Sequence, residues 1–201
     1  QDELQHGKLI GISLKKMQSG ASLSAKNVFS DMKFCKDYAG YEYSGKSIDG
    51  YVKLSGGTKI QFRSFGAGLG LTGFQGEVKG ANANQGKIGL GPTNMILRSH
   101  GASEIPTNAA SRVRTDPMGV FDEIAVGLKK YARLTQKQIE EVRESEKINT
   151  PKFLYSKLQV TQLINTLESI TNRDKRNQLV EDLYLYASSQ SRFSSAYYKL
   201  E

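Results

Sequence analysis

Eighteen of the twenty glycines fall in residues 1–101, and only Gly119 and Gly127 follow. Each glycine inside a helix costs about 1 kcal/mol relative to alanine, so the first half cannot carry long helices, while the second lacks the residues that turn strands sharply. The chain therefore divides into a β-rich unit over residues 1–101, a linker or mobile loop over 102–117 and a helical region over 118–201 packed on the first. The class expected is α+β.

Local patterns support that division. Short apolar alternations predict strands at Lys8–Lys16, Asn27–Phe34, Tyr51–Leu54 and Lys59–Phe65. Between the last two, Ser55-Gly56-Gly57-Thr58 predicts a hairpin, because its glycines accept the positive φ of tight turns. Asp116-Pro117 has the form of a helix start, capping a helix over Met118–Arg133, and Thr135 with Gln138 forms a capping box for a second helix that frays near Asn149-Thr150-Pro151. Leu154, Leu158, Leu163, Ile164, Leu167 and Ile170 continue an apolar face, and Leu179, Leu183, Tyr186 and Ala187 repeat it. Residues 102–115 lack periodicity and read as loop.

Composition narrows the function classes. With 38% hydrophobic and 24% charged residues, the 201-residue chain has a globular composition. No apolar run is long enough for a membrane span and the first residues do not form a signal peptide, so a cytoplasmic protein is expected. Cys35 is the sole cysteine and His6 and His100 the only histidines, which disfavours zinc sites and imidazole-dependent triads. Metal chemistry, if present, would rest on carboxylates and suit magnesium or manganese. The net charge is +8, with 13 basic and 7 acidic residues in 1–100 against 15 and 13 thereafter, so an anion-binding surface is expected on the β-rich half.

The segment Gly73-Phe74-Gln75-Gly76-Glu77-Val78-Lys79-Gly80 carries the sharpest chemical suggestion. On a strand, Glu77 and Lys79 share one face, supplying a carboxylate for a metal ion and a cation to orient water or stabilise developing charge in phosphodiester hydrolysis. Asp49 is the nearest upstream acid to serve as a second ligand. Ser13 and Lys15 share a face in the same way, with Lys15 able to approach a phosphate. Glycines 73, 76 and 80 suggest a strand that something approaches closely, such as a nucleic-acid backbone. Gln61, Arg63 and Gln75 are candidate substrate or site-supporting groups, Lys87 lies in a glycine-rich turn suited to a DNA phosphate, and Arg112 and Arg114 would extend the basic track. Tyr38, Tyr41 and Tyr43 suit either base stacking or packing on a sheet face.

An aspartate followed by an acid-x-Lys strand resembles the PD-(D/E)XK nuclease superfamily, and Ile12-Ser13-Leu14-Lys15-Lys16, Ile60-Gln61-Phe62-Arg63, Phe74 to Gly80 and Gln85-Gly86-Lys87-Ile88-Gly89 are similar to segments of uncharacterised tailed-phage proteins, over the first half of the chain only. The resemblance implies a mixed sheet flanked by helices, a magnesium or manganese site at one edge and action on DNA or RNA. It admits two mappings. One uses Asp49, Glu77 and Lys79; the other places Ser13 and Lys15 at the acid-x-Lys position and requires an aspartate upstream of Gln1. Two further readings stand beside the nuclease. One is a non-catalytic nucleic-acid-binding or virion or host-interaction protein on the same scaffold. The other is a helical interaction module over residues 118–200, in which exposed apolar faces would favour a homo-oligomer. The terminal Leu200-Glu201 reads as a cloning remnant.

Overall fold

The computed structural model describes residues 37–64, 73–80, 86–145 and 150–188, together with the backbone of 11–13, 23–26 and 197–200. The expected strand at Asn27–Phe34 lies outside the described residues, as does most of Lys8–Lys16. The architecture is α+β. Five strands, β3 (Tyr38–Tyr43), β4 (Gly50–Leu54), β5 (Lys59–Ser64), β6 (Phe74–Lys79) and β7 (Lys87–Gly89), form an antiparallel sheet in sequence order. Parallel pairing appears in a smaller sheet of order β1-β8-β2, where β1 (Gly11–Ser13) runs parallel and β2 (Leu23–Lys26) antiparallel to β8 (Tyr197–Leu200). Mixed pairing thus belongs to the small sheet, and Leu200 closes one of its strands.

Alternation sets the two faces of the larger sheet. Val52, Leu54, Ile60, Phe62, Phe74, Val78 and Ile88 are buried on one side. The β4–β5 turn is a single 3-10 turn at Ser55–Gly57, in which Gly56 and Gly57 have φ of 72° and 74° and the Leu54 amide donates to the Thr58 carbonyl at 2.9 Å. The glycines at positions 73 and 80 bound β6 with φ of 85° and 151°. Gly76 has another reason. A Cβ there would stand 2.7 to 2.9 Å from Phe62 Cε1, Ile60 Cγ2 and Ile88 Cγ2, so the close visitor is the chain's own core and not a nucleic-acid backbone.

Six helices follow among the described residues: α1 (Leu90–Ser99), α2 (Ala109–Thr115), α3 (Pro117–Tyr131), α4 (Gln136–Glu144), α5 (Pro151–Ser169) and α6 (Arg173–Ala187). Asp116 caps α3 through the Gly119 amide, and the Thr135–Gln138 capping box opens α4 as the sequence requires. The stretch 102–117 corrects the expectation of a loop. It contains α2, and Ile105, Ala109 and Val113 are buried; the Asn94 side chain fixes it by donating to the Ile105 carbonyl and accepting from the Ile105 amide, both at 2.8 Å. A seven-residue helix is too short to show periodicity, so the signal was absent from the pattern.

Helix α5 occupies the middle of the molecule. Thirteen of its residues are buried, because the sheet covers one side and α2 and α3 the other. Its Val160 lies where a Gly50 side chain would be, since a Cβ at Gly50 would meet Val160 Cγ1 at 2.2 Å. Helix α6 crosses from β3, where Asn177 accepts from the Tyr38 amide at 3.0 Å, to β7, where the Ala187 carbonyl leaves no room for a Cβ at Gly86. The glycines at 86 and 89 therefore serve a strand and its helix start. The apolar faces at Leu154–Leu167 and Leu179–Leu183 lie in this core, which removes the basis for an exposed helical interaction module. No helix among the described residues is long and apolar enough to cross a membrane.

Overpacking at the glycine enclosed by three core side chains gives the first prediction. Gly76→Ala should lower stability by roughly 1–3 kcal/mol, measured as a reduced midpoint in urea unfolding with an unchanged slope; an unaltered midpoint would show that β6 can shift away from Phe62 and Ile60.

Candidate functional site: the outer face of the sheet

The polar half of each strand's alternation gathers on the side of the sheet away from the helices. Register aligns Glu42, Tyr51, Gln61, Glu77 and Lys87 in one row across all five strands. A neighbouring row sets Lys53 opposite Lys59 and Lys59 opposite Lys79. On the other flank, Arg63 lies opposite Gln75, and Asp49, just before β4, lies beside Arg63, with Nε to Oδ1 at 3.7 Å. Asp49, Gln61, Arg63, Gln75, Glu77, Lys79 and Lys87, drawn from the sequence, therefore meet on one surface.

The two carboxylates do not converge. Asp49 and Glu77 are separated by two strand spacings and one two-residue step, roughly 12 Å between Cα atoms, with Gln61 and Arg63 in the interval. Each also has its own cation. Lys79 Nζ reaches Glu77 Oε2 at 2.8 Å, and this hydrogen bond, aided by the charges of Lys79, Lys87 and Arg63, holds the Glu77 carboxyl below its usual range. Asp49 faces Arg63. The pair does not fit a shared magnesium or manganese ion in this arrangement, and among the described residues no cluster of three His, Cys, Asp or Glu side chains forms such a site. Lys15 lies outside the described residues.

Arg112 and Arg114 belong elsewhere. They sit on α2, which packs against α5 and α3 on the helical side of the sheet, and Arg112 is ion-paired with Glu123 of α3, which also accepts from Gln162 of α5. The three β3 tyrosines point toward the helices: Tyr38 donates to Glu168 at 2.6 Å, Tyr43 shares a 2.6 Å hydrogen bond with Thr161, and Tyr41 meets Tyr131 edge to face at 5.5 Å. Of the two readings for these residues, packing is the one these contacts support.

Several residues of the surface were not singled out from the sequence. Lys53 and Lys59 converge on Glu42, at 3.9 and 3.3 Å. Gln61 donates to the Tyr51 hydroxyl at 3.0 Å, and Lys59 Nζ lies 4.5 Å from the Tyr51 ring centroid. Their signal was the polar half of the same alternation that located the strands. Lys157 had none, since a lysine within α5 looks like any surface lysine until the helix is found buried. It has no exposed surface, donates to the Ser47 carbonyl at 2.9 Å and lies 3.7 Å from the Tyr43 ring centroid. Burial pulls its pKa down to about 7, with Asp49 opposing the shift.

No family model matches the chain, and no match is found among the curated proteins or the solved structures.

The buried ammonium has a pH consequence whose sign follows from linkage. The unfolded chain holds the Lys157 proton to about pH 10.4, whereas the folded chain releases it near 7. Between those values the unfolded state binds more protons, so stability rises with pH. Wild type should gain on Lys157→Met between pH 7 and 10, by at most roughly 4–5 kcal/mol, read by paired urea melts; parallel pH profiles would place the Lys157 charge outside the folding equilibrium.

Proposed function

We propose that the protein binds nucleic acid through the outer face of its five-stranded sheet, without a metal-dependent cutting step. The observation that carries this reading is the strand-crossing row Lys53–Lys59–Lys79. Like charges directly opposite one another destabilise a sheet, and the two local carboxylates, Glu42 and Glu77, leave the three lysines with a net positive charge. Arg63 and Lys87 add to the same surface. A polyphosphate backbone is the ligand that such a face suits, and Gln61 and Gln75 add hydrogen-bonding amides. The separation of Asp49 from Glu77, each beside a cation, supports binding over hydrolysis.

Anisotropy titrations with labelled DNA and RNA across a salt series test this. Affinity should fall steeply with salt and persist in EDTA. Combining Lys53→Ala, Lys59→Ala and Lys79→Ala should weaken binding at least tenfold and flatten the salt slope by about 2 for a single strand. Metal-dependent cleavage lost in Glu77→Ala would overturn the reading in favour of a nuclease.

A further inference from the structure

Resting on that reading, we infer that the ligand is a single strand, one of whose bases leaves the strand and stacks on Tyr51 while its phosphates follow the lysine row. Two observations beyond the row itself carry the inference.

The first is the state of Tyr51. Its hydroxyl is tied to Gln61 Nε2 at 3.0 Å, which fixes the ring on the outer face, and one side of the ring is covered by Lys59 Nζ at 4.5 Å from the centroid. A strand entering along the row offers Lys59 a phosphate and offers the ring a heterocycle. The exchange replaces an exposed cation–π contact by the stronger stacking of a base on the ring. One lysine therefore both guards the platform and, once moved, holds the backbone of the molecule that uses it.

The second is a recess of about 390 Å³ beside this ring, lined by Tyr51, Tyr41, Tyr43, Tyr131, Glu42 and Asp49. The charged groups that line the recess are the carboxylates Glu42 and Asp49, so it admits the uncharged base, whose exocyclic amine can donate to them, and leaves the phosphates outside on the lysine row. A duplex keeps its bases paired and stacked and cannot place one there, so the site selects for single strands.

The test uses the full chain with fluorescein-labelled 12-nucleotide single-stranded DNA and RNA, the corresponding 12-base-pair duplex, and unlabelled CMP and AMP as competitors. Tyr51→Ala is expected to weaken single-strand binding 5- to 100-fold and to change duplex binding less than twofold. Tyr51→Phe keeps the ring and loses only the Gln61 contact, so it should stay within threefold of wild type. It also serves as the folding control, with both variants compared by thermal melt. Equal loss on single strand and duplex, or no loss on either, would overturn the stacking site while leaving the lysine surface in place. Competition by a mononucleotide at the concentration at which the 12-mer binds would overturn the strand in favour of a free nucleotide. Failure of wild type to bind any of these nucleic acids at low salt would overturn the underlying reading as well.

Discussion

Everything on the outer face depends on how closely α5 approaches the start of β4. Val160 fills the space where any side chain at Gly50 would be, and one turn earlier Ser156 accepts from the Ser64 amide at 3.0 Å and donates to the Ile48 carbonyl at 3.2 Å. Lys157 holds the Ser47 carbonyl in the same stretch. These contacts bind the β3–β4 connection and the end of β5 to a single helical turn. They fix the register in which Tyr51 meets Gln61 and in which Asp49 reaches Arg63. A shift of one residue would reverse the faces and bring the lysines to the core.

The central position of α5 also explains the division of labour between the two halves. A helix covered on both sides must find partners inside for its buried polar groups. Ser156, Lys157, Thr161 and Thr166 do so by donating to the Ile48, Ser47, Lys157 and Ser103 carbonyls, while Thr161, the partly buried Glu168 and the exposed Asn165 receive the hydroxyls of Tyr43, Tyr38 and Tyr131. The aromatic residues thus bridge sheet and helix with rings in the apolar layer and oxygens on the helix. The rings of Tyr43 and Tyr131 are also walls of the recess at the β3–β4 connection.

Much of this was legible in the sequence wherever a periodic pattern had room to repeat. The hairpin at Ser55–Thr58, the caps at Asp116 and Thr135 and the apolar steps of α5 and α6 follow from local chemistry that tertiary packing did not override. The short helix α2 and strand β3 were not legible, the first for want of length and the second because a register shift between Tyr38 and Gly40 breaks its alternation. The site divides along the same line. That Glu77 and Lys79 share a face follows from period 2, and so does the company of Gln61, Arg63 and Gln75. The interval between Asp49 and Glu77 does not, since it depends on which strands are neighbours. Nor does the burial of Lys157, which is decided by what packs on the far side of α5.

The opposed lysines of β4, β5 and β6 have a wider meaning for the molecule. Glu42 between Lys53 and Lys59, and Glu77 beside Lys79, are the anions that let a sheet hold like charges across two adjacent strand pairs, so the charge pattern of this face and the integrity of the fold draw on the same free energy.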